Sequence, residues 1–133
     1  MLKKILVVIL ASASVFASCK KTGTLNKTTS QKVLGKWSYV SNITVEYNAG
    51  VATPYSYPVS AADYIDFRND GKVYDYSQGT YDTTTYSIVN DSLLKVDNYT
   101  LQIKTLTAKT FVIYSKEYFN GTDSSENTTT FKK

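Results

Sequence analysis

Tyr64-Ile65-Asp66-Phe67-Arg68-Asn69-Asp70-Gly71-Lys72-Val73-Tyr74-Asp75-Tyr76 is the stretch that decides the fold class. From Tyr64 to Arg68 apolar and polar side chains alternate, the period-two signature of a half-buried strand. Asn69 to Lys72 reads as a tight turn, because Asp-Gly between two alternating runs supplies the positive φ that hairpin turns require. Val73 to Gln78 is then the returning strand, and Asp66 alternates away from Ile65 and Phe67.

The same period continues on both sides of this hairpin. Upstream, Trp37, Tyr39, Ile43, Val45 and Tyr47 are expected on one buried face, with Ser38, Asn42, Thr44 and Glu46 on the wet one. Residues 48–62, which contain Pro54 and Pro58, read as an irregular connection. Downstream, strands are expected over Tyr81–Val89, Leu93–Val96, Tyr99–Lys104, Thr110–Phe119 and Asn127–Phe131, with turns at Asn90-Asp91-Ser92, Asp97-Asn98 and Asn120-Gly121. Tyr, Thr, Val and Ile dominate and strong helix formers are scarce, in keeping with strands. About eight strands joined by short connections make an antiparallel meander. Closure of first strand on last removes the exposed edges, so the fold class predicted is all-β, a small eight-stranded up-and-down barrel. A small sandwich is the alternative; it needs a long crossing connection, which only residues 48–62 offer.

Charge is divided along the chain. The full sequence has 15 basic and 11 acidic residues, a net of +4, and a pI near 9.0. From Val33 onward 9 basic residues face 11 acidic ones, a net of −2, so the excess of lysine belongs to the N-terminal segment. That segment is placed to lie near anionic lipid headgroups. No basic stripe is legible on the domain, so nucleic acid is not an expected partner.

The N-terminus explains that lysine. Lys3 and Lys4 precede an apolar run, Ile5 to Phe16, too short to span a bilayer, and Phe16-Ala17-Ser18-Cys19 forms a small-residue cleavage site. These four residues resemble the lipobox of bacterial lipoproteins, in which the cysteine thiol receives a diacylglycerol and the chain is cut just before it. The resemblance implies a signal peptide over residues 1–18, lipidation of Cys19, and attachment to the membrane through that lipid. Cys19 is the single cysteine, so no disulfide can form within one molecule. Residues 19–32 are polar and threonine-rich, the composition of a flexible tether, and 33–133 remain as one domain.

Three further segments carry a second resemblance. Gly35-Lys36-Trp37, then Tyr64 to Val73, then Ile103-Lys104-Thr105-Leu106-Thr107 leading into Phe111-Val112-Ile113 look like the lipocalin-like domain lipoproteins of Bacteroidota-type bacteria. The chain lacks the T-D-Y motif of true lipocalins and is shorter than they are. The resemblance implies a barrel with Trp37 plugging one end and an outer-membrane location. Because Lys20-Lys21-Thr22 rather than acidic residues follow Cys19, the periplasmic face is favoured over the cell surface.

Little in the sequence supports catalysis. Without histidine there is no Ser-His-Asp triad, Cys-His pair or histidine metal site, so no enzyme, metal or cofactor is expected. Asp63, Asp66, Asp70 and Asp75 read as a solvated hairpin, and they lack the spacing of a calcium loop. Tyrosine, twelve in all, covers apolar surface while keeping a hydroxyl for hydrogen bonds. Trp37, Tyr39, Tyr74, Tyr76 and Tyr86 are the candidates for a ligand-lined lumen, with Phe67, Ile103, Phe111 and Ile113 as core. Tyr55 and Tyr57, in the 48–62 connection, are candidates for contact at the barrel mouth. Two functions follow: a small apolar or amphipathic ligand held in the barrel, or a filled barrel that docks an envelope protein or glycan through its outer face or residues 48–62.

Overall fold

A computed structural model describes residues 26–133. Residues 1–18, Cys19 and the first part of the expected tether lie outside the described residues. A five-residue helix, α1 (Thr29–Val33), is followed by nine strands: β1 (Gly35–Asn48), β2 (Val51–Tyr57), β3 (Tyr64–Phe67), β4 (Lys72–Ser77), β5 (Thr80–Asn90), β6 (Leu93–Val96), β7 (Tyr99–Leu106), β8 (Thr110–Asn120) and β9 (Asp123–Lys132). Neighbouring strands are antiparallel, and β1 pairs with both β3 and β9, so β1 and β3 to β9 close into the expected eight-stranded barrel. The sandwich alternative is thereby excluded.

The ninth strand comes from the segment read as an irregular connection. Val51–Tyr57 pairs with Asn42–Asn48, joined by a two-residue turn in which Ala49 (φ 49°) and Gly50 (φ 81°) are both left-handed. Two positive φ values match the twist of a tight hairpin. The Ala49 N–H donates to Asp123 Oδ1 at 3.0 Å, which ties this turn to the start of β9. Pro54 is tolerated because β2 has a partner on one side only. β2 therefore shares one edge of β1 with β3, which takes Gly35–Ser38. Above the barrel, β2, the upper half of β1, the start of β9 and the end of β8 continue as a four-stranded ribbon.

A bulge fixes which face of that ribbon looks inward. Tyr39 pairs with Phe131 and Ser41 with Thr130, leaving Val40 as the extra residue. One added residue exchanges the two faces of a strand. Trp37 and Tyr39 face the lumen, but beyond Val40 it is Asn42, Thr44 and Glu46 that continue the inner face, while Ile43, Val45 and Tyr47 lie outside. The single apolar face expected over Trp37–Tyr47 is thus corrected to two half-faces.

The core fills the lower barrel. Val33, Trp37, Phe67, Val73, Leu94, Phe111 and Phe131 are all at most 2% exposed. Phe111 is the hub, its ring centroid 5.4 Å from Trp37, 5.6 Å from Phe131 and 5.9 Å from Phe67. Burial of one such ring is worth roughly 1.5–3 kcal/mol.

The bottom is sealed by residues expected in the tether. Thr28 caps α1 through a reciprocal pair, Gln31 N–H to Thr28 Oγ1 and Thr28 N–H to Gln31 Oε1. That capping box puts an ordered helix inside residues 19–32, the segment expected as a tether. Val33, at the end of α1, accepts the Trp37 indole N–H at 2.7 Å. Lys133 Nζ lies 4.2 Å above the Trp37 ring and donates to the Leu34 carbonyl at 2.7 Å.

Candidate functional site at the open end of the barrel

The five lumen candidates separate into three groups. Trp37 is wholly buried in the floor, where no ligand reaches it. Tyr39 and Tyr86 do face inward. Tyr39 packs on Phe131 at 4.7 Å; Tyr86 stands edge-on to Phe67 at 5.0 Å and donates its hydroxyl proton to the Arg68 carbonyl at 2.8 Å. Tyr74 and Tyr76 stand outside, which corrects their expected place in the lumen. The reason is register: Phe67 pairs with Val73 and Ile65 with Asp75, so the inward side of β4 is Val73 and Asp75. Tyr74 instead lies under the Arg68 guanidinium at 4.0 Å, and Tyr76 joins Tyr64 and Tyr81 in an aromatic row on the outer wall. Of the core candidates, Phe67 and Phe111 are buried, while Ile103 and Ile113 are half-buried against them.

Above the floor the lumen turns polar. The Tyr39 hydroxyl donates to Asp75 Oδ2 at 3.1 Å, and Asp75 Oδ1 is buried without a hydrogen-bond partner. Burial raises the Asp75 carboxyl above the ordinary carboxylate range, and the Tyr39 hydrogen bond opposes that rise only in part; Asp82 and Asp63 add to it. Burial, then the charge of Asp75, pushes the Tyr39 phenol up as well. The hairpin aspartates are thus not uniformly solvated. Asp66 pairs with Arg68 on the outer wall and Asp70 accepts from the Lys72 N–H in the turn, but Asp63 is buried and accepts from the N–H groups of Ser60 and Gln78. It stitches the end of the 58–63 loop to the β4–β5 turn.

Two recesses meet at Asp75. One, of about 260 Å³, runs along Ile65, Val73, Asp82, Thr84, Val96 and Tyr99. The other, of about 180 Å³, is bounded by Tyr39, Asn42, Tyr57 and Asp63. Both are smaller than the roughly 300–1,000 Å³ of common ligand sites. β6, four residues long, makes a low wall beside the first recess.

Tyr55 and Tyr57 flank the inner face of the ribbon. They pair with Thr44 and Asn42 and are close to half exposed. Beside them the Asn127 amide donates to Asn42 Oδ1 at 2.8 Å and to Thr44 Oγ1 at 2.9 Å, and its carbonyl accepts from the Thr129 hydroxyl at 3.1 Å. This network takes the place of an apolar core. Sequence reasoning missed Asn42 and Thr44 because the bulge that turns them inward has no glycine or proline to mark it, and Asn127 because a polar side chain on the same alternation as Thr129 and Phe131 gives no apolar signal. It also missed Asp75, whose inward position follows once the Asp70-Gly71 turn sets Ile65 opposite it.

Among the described residues no three His, Cys, Asp or Glu side chains are grouped as for a metal ion, and no helix is long and apolar enough to cross a membrane. No family model matches this chain, and no curated protein matches it.

Proposed function

We propose that this protein is a non-enzymatic lipoprotein of the bacterial outer membrane, held by lipid on Cys19, with a filled barrel that docks an envelope protein or glycan at its open end. The observation that carries the reading is the solid floor: Trp37, Phe67, Phe111, Phe131 and Leu94 occupy the space a calyx would need. An eight-stranded barrel is just wide enough for side chains to fill. What remains outward is the ribbon, with Tyr55 and Tyr57 on an edge strand exposed along its whole length. Tyrosine on an exposed edge strand over a rigid scaffold suits recognition, since it gives contact area at low entropic cost. The lipid anchor rests on the lipobox resemblance, and the periplasmic face on the lysines after Cys19.

Native mass spectrometry and pull-down from envelope extracts test this. Expected are a bare polypeptide mass and a partner lost on Tyr55→Ser with Tyr57→Ser. A retained lipid-like mass together with unchanged pull-down would overturn it. The recesses at Asp75 favour a second reading, a small amphipathic ligand with a cationic head seated at the mouth. In that case Asp75→Asn abolishes binding of an alkylamine probe and the two tyrosine changes do not.

A further inference from the structure

The two ends of the barrel carry opposite charge, although residues 26–133 are neutral as a whole. The registers place the start of β1, the turn after β3, the turn after β5, the turn after β7 and the end of β9 together at the closed end with α1. Of the basic residues between Asn26 and Lys133, all but Lys95 and Lys116 lie at that end; of the acidic ones, only Asp66, Asp70 and Asp91 do. The composition hid this, because the strands carry acid and base in alternation along the sequence and only the fold sorts them. Two grooves open there, one of about 480 Å³ edged by Lys27, Lys32 and Lys104, the other of about 470 Å³ edged by Lys27, Lys32 and Lys133.

We infer that the closed end is a docking face for an anionic bilayer surface, so that the barrel stands on the membrane with its acidic mouth and ribbon turned away. Charge complementarity selects the surface: lysines on one face are attracted by anionic headgroups, and the carboxylates at the other end are repelled by them. The chain path agrees. Asn26 borders the second groove, and the seven residues from Cys19 to Asn26 span at most about 25 Å. A lipid on Cys19 would hold this end, not the mouth, within reach of the headgroups. To that extent the inference rests on the anchored reading, but the charge sorting stands without it.

The test uses residues 26–133, which contain the strands and core of the described residues and omit Cys19, Lys20 and Lys21. Co-sedimentation is measured with vesicles of phosphatidylglycerol and phosphatidylcholine, and with phosphatidylcholine alone. Binding is expected only to the anionic vesicles, falling with added salt. The triple variant Lys27→Gln, Lys32→Gln, Lys109→Gln, at three exposed positions, is expected to bind on the order of 100-fold more weakly, about fivefold per lysine. Lys95→Gln is expected to change nothing. Trp37, the single tryptophan and part of the floor, reports the orientation: headgroup-attached nitroxide should quench it. Absence of binding, equal binding to neutral vesicles, or equal loss in Lys95→Gln overturns the inference. So does equal affinity for a duplex DNA oligonucleotide, which would make the face a general polyanion patch. Metabolic labelling of Cys19 in cells tests the anchor separately, so either idea can fail alone.

Discussion

The lower half of β1, Gly35–Tyr39, lies between β3 and β9 and turns Trp37 and Tyr39 onto Phe111 and Phe131; the upper half, Asn42–Asn48, lies between β2 and β9 and turns Asn42 and Thr44 onto Asn127. One half is held by apolar surface removed from water, the other by directed hydrogen bonds. The comparison teaches where this small barrel keeps its stability and where it leaves side chains exposed. Apolar packing is short-ranged and unforgiving of lost volume, whereas an exposed ribbon on a firm base accepts new side chains at little cost.

The strongest blow to this contrast falls on the floor. Phe111→Ala removes the ring that meets Trp37, Phe67 and Phe131, and is expected to cost about 3–5 kcal/mol, read as a lower urea midpoint. A loss below about 1 kcal/mol would mean that the floor is not where stability resides. In the ribbon, Asn127→Ala breaks three hydrogen bonds and is expected to cost about 1–3 kcal/mol. Amide exchange should then quicken in β2 and upper β1 before β4 and β5, and a uniform change would erase the boundary drawn at Val40.

Asp75 lies between the two regions and gives a pH-dependent test. Its carboxyl is raised in the fold, chiefly by burial, so the folded state holds the proton more tightly than the unfolded chain. Stability from this group is therefore greatest below its unfolded value of about 4 and is lost as pH rises through the folded value. Asp75→Asn keeps an acceptor for Tyr39 and removes the charge. It should stabilise the protein by about 1 kcal/mol near neutral pH and by less near pH 4, followed by thermal melts at both. Equal gains at the two would show that the charge is not the cause. The smallest effect is expected for Tyr55→Ser and Tyr57→Ser, each within about 0.5 kcal/mol by the same melts. A larger loss would make β2 a structural strand instead of a contact surface.

Much of the barrel is legible in the sequence because its turns are chemically marked. Asp70-Gly71 and Asn120-Gly121 fall where glycine takes φ values of 77° and 50°, and alternation between them does the rest. What stays hidden depends on partners that sequence order does not reveal. Val40 is an ordinary strand residue, and only pairing with β9 makes it a bulge. Pro54 reads as a breaker, yet an edge strand with one free side absorbs it. Tyr74 and Tyr76 are no less suited to a lumen than Asp75 by composition; the pairing of Val73 with Phe67 decides between them. Of the lumen candidates, Tyr39 follows the alternation from Trp37 and faces inward, and Tyr86 faces inward against Phe67. The polar network was invisible because its β1 members, Asn42 and Thr44, belong to the half-face that the bulge inverts, and its β9 members, Asn127 and Thr129, are polar on an inner face.

The seam between β1 and β9 has a kinetic consequence. Lys133 reaches the Lys32 carbonyl across 101 positions of chain, and every pairing of β1 with β9 joins comparably remote residues. All other barrel pairings except β1 with β3 link strands joined by a short turn, so zipping can proceed locally from several hairpins while the ring stays open. Ring closure is then the late, slow event of folding. A circular permutant of residues 26–133 that joins Lys133 to Asn26, which border one groove, and opens at the exposed Gly79 turn would convert it into one more hairpin step.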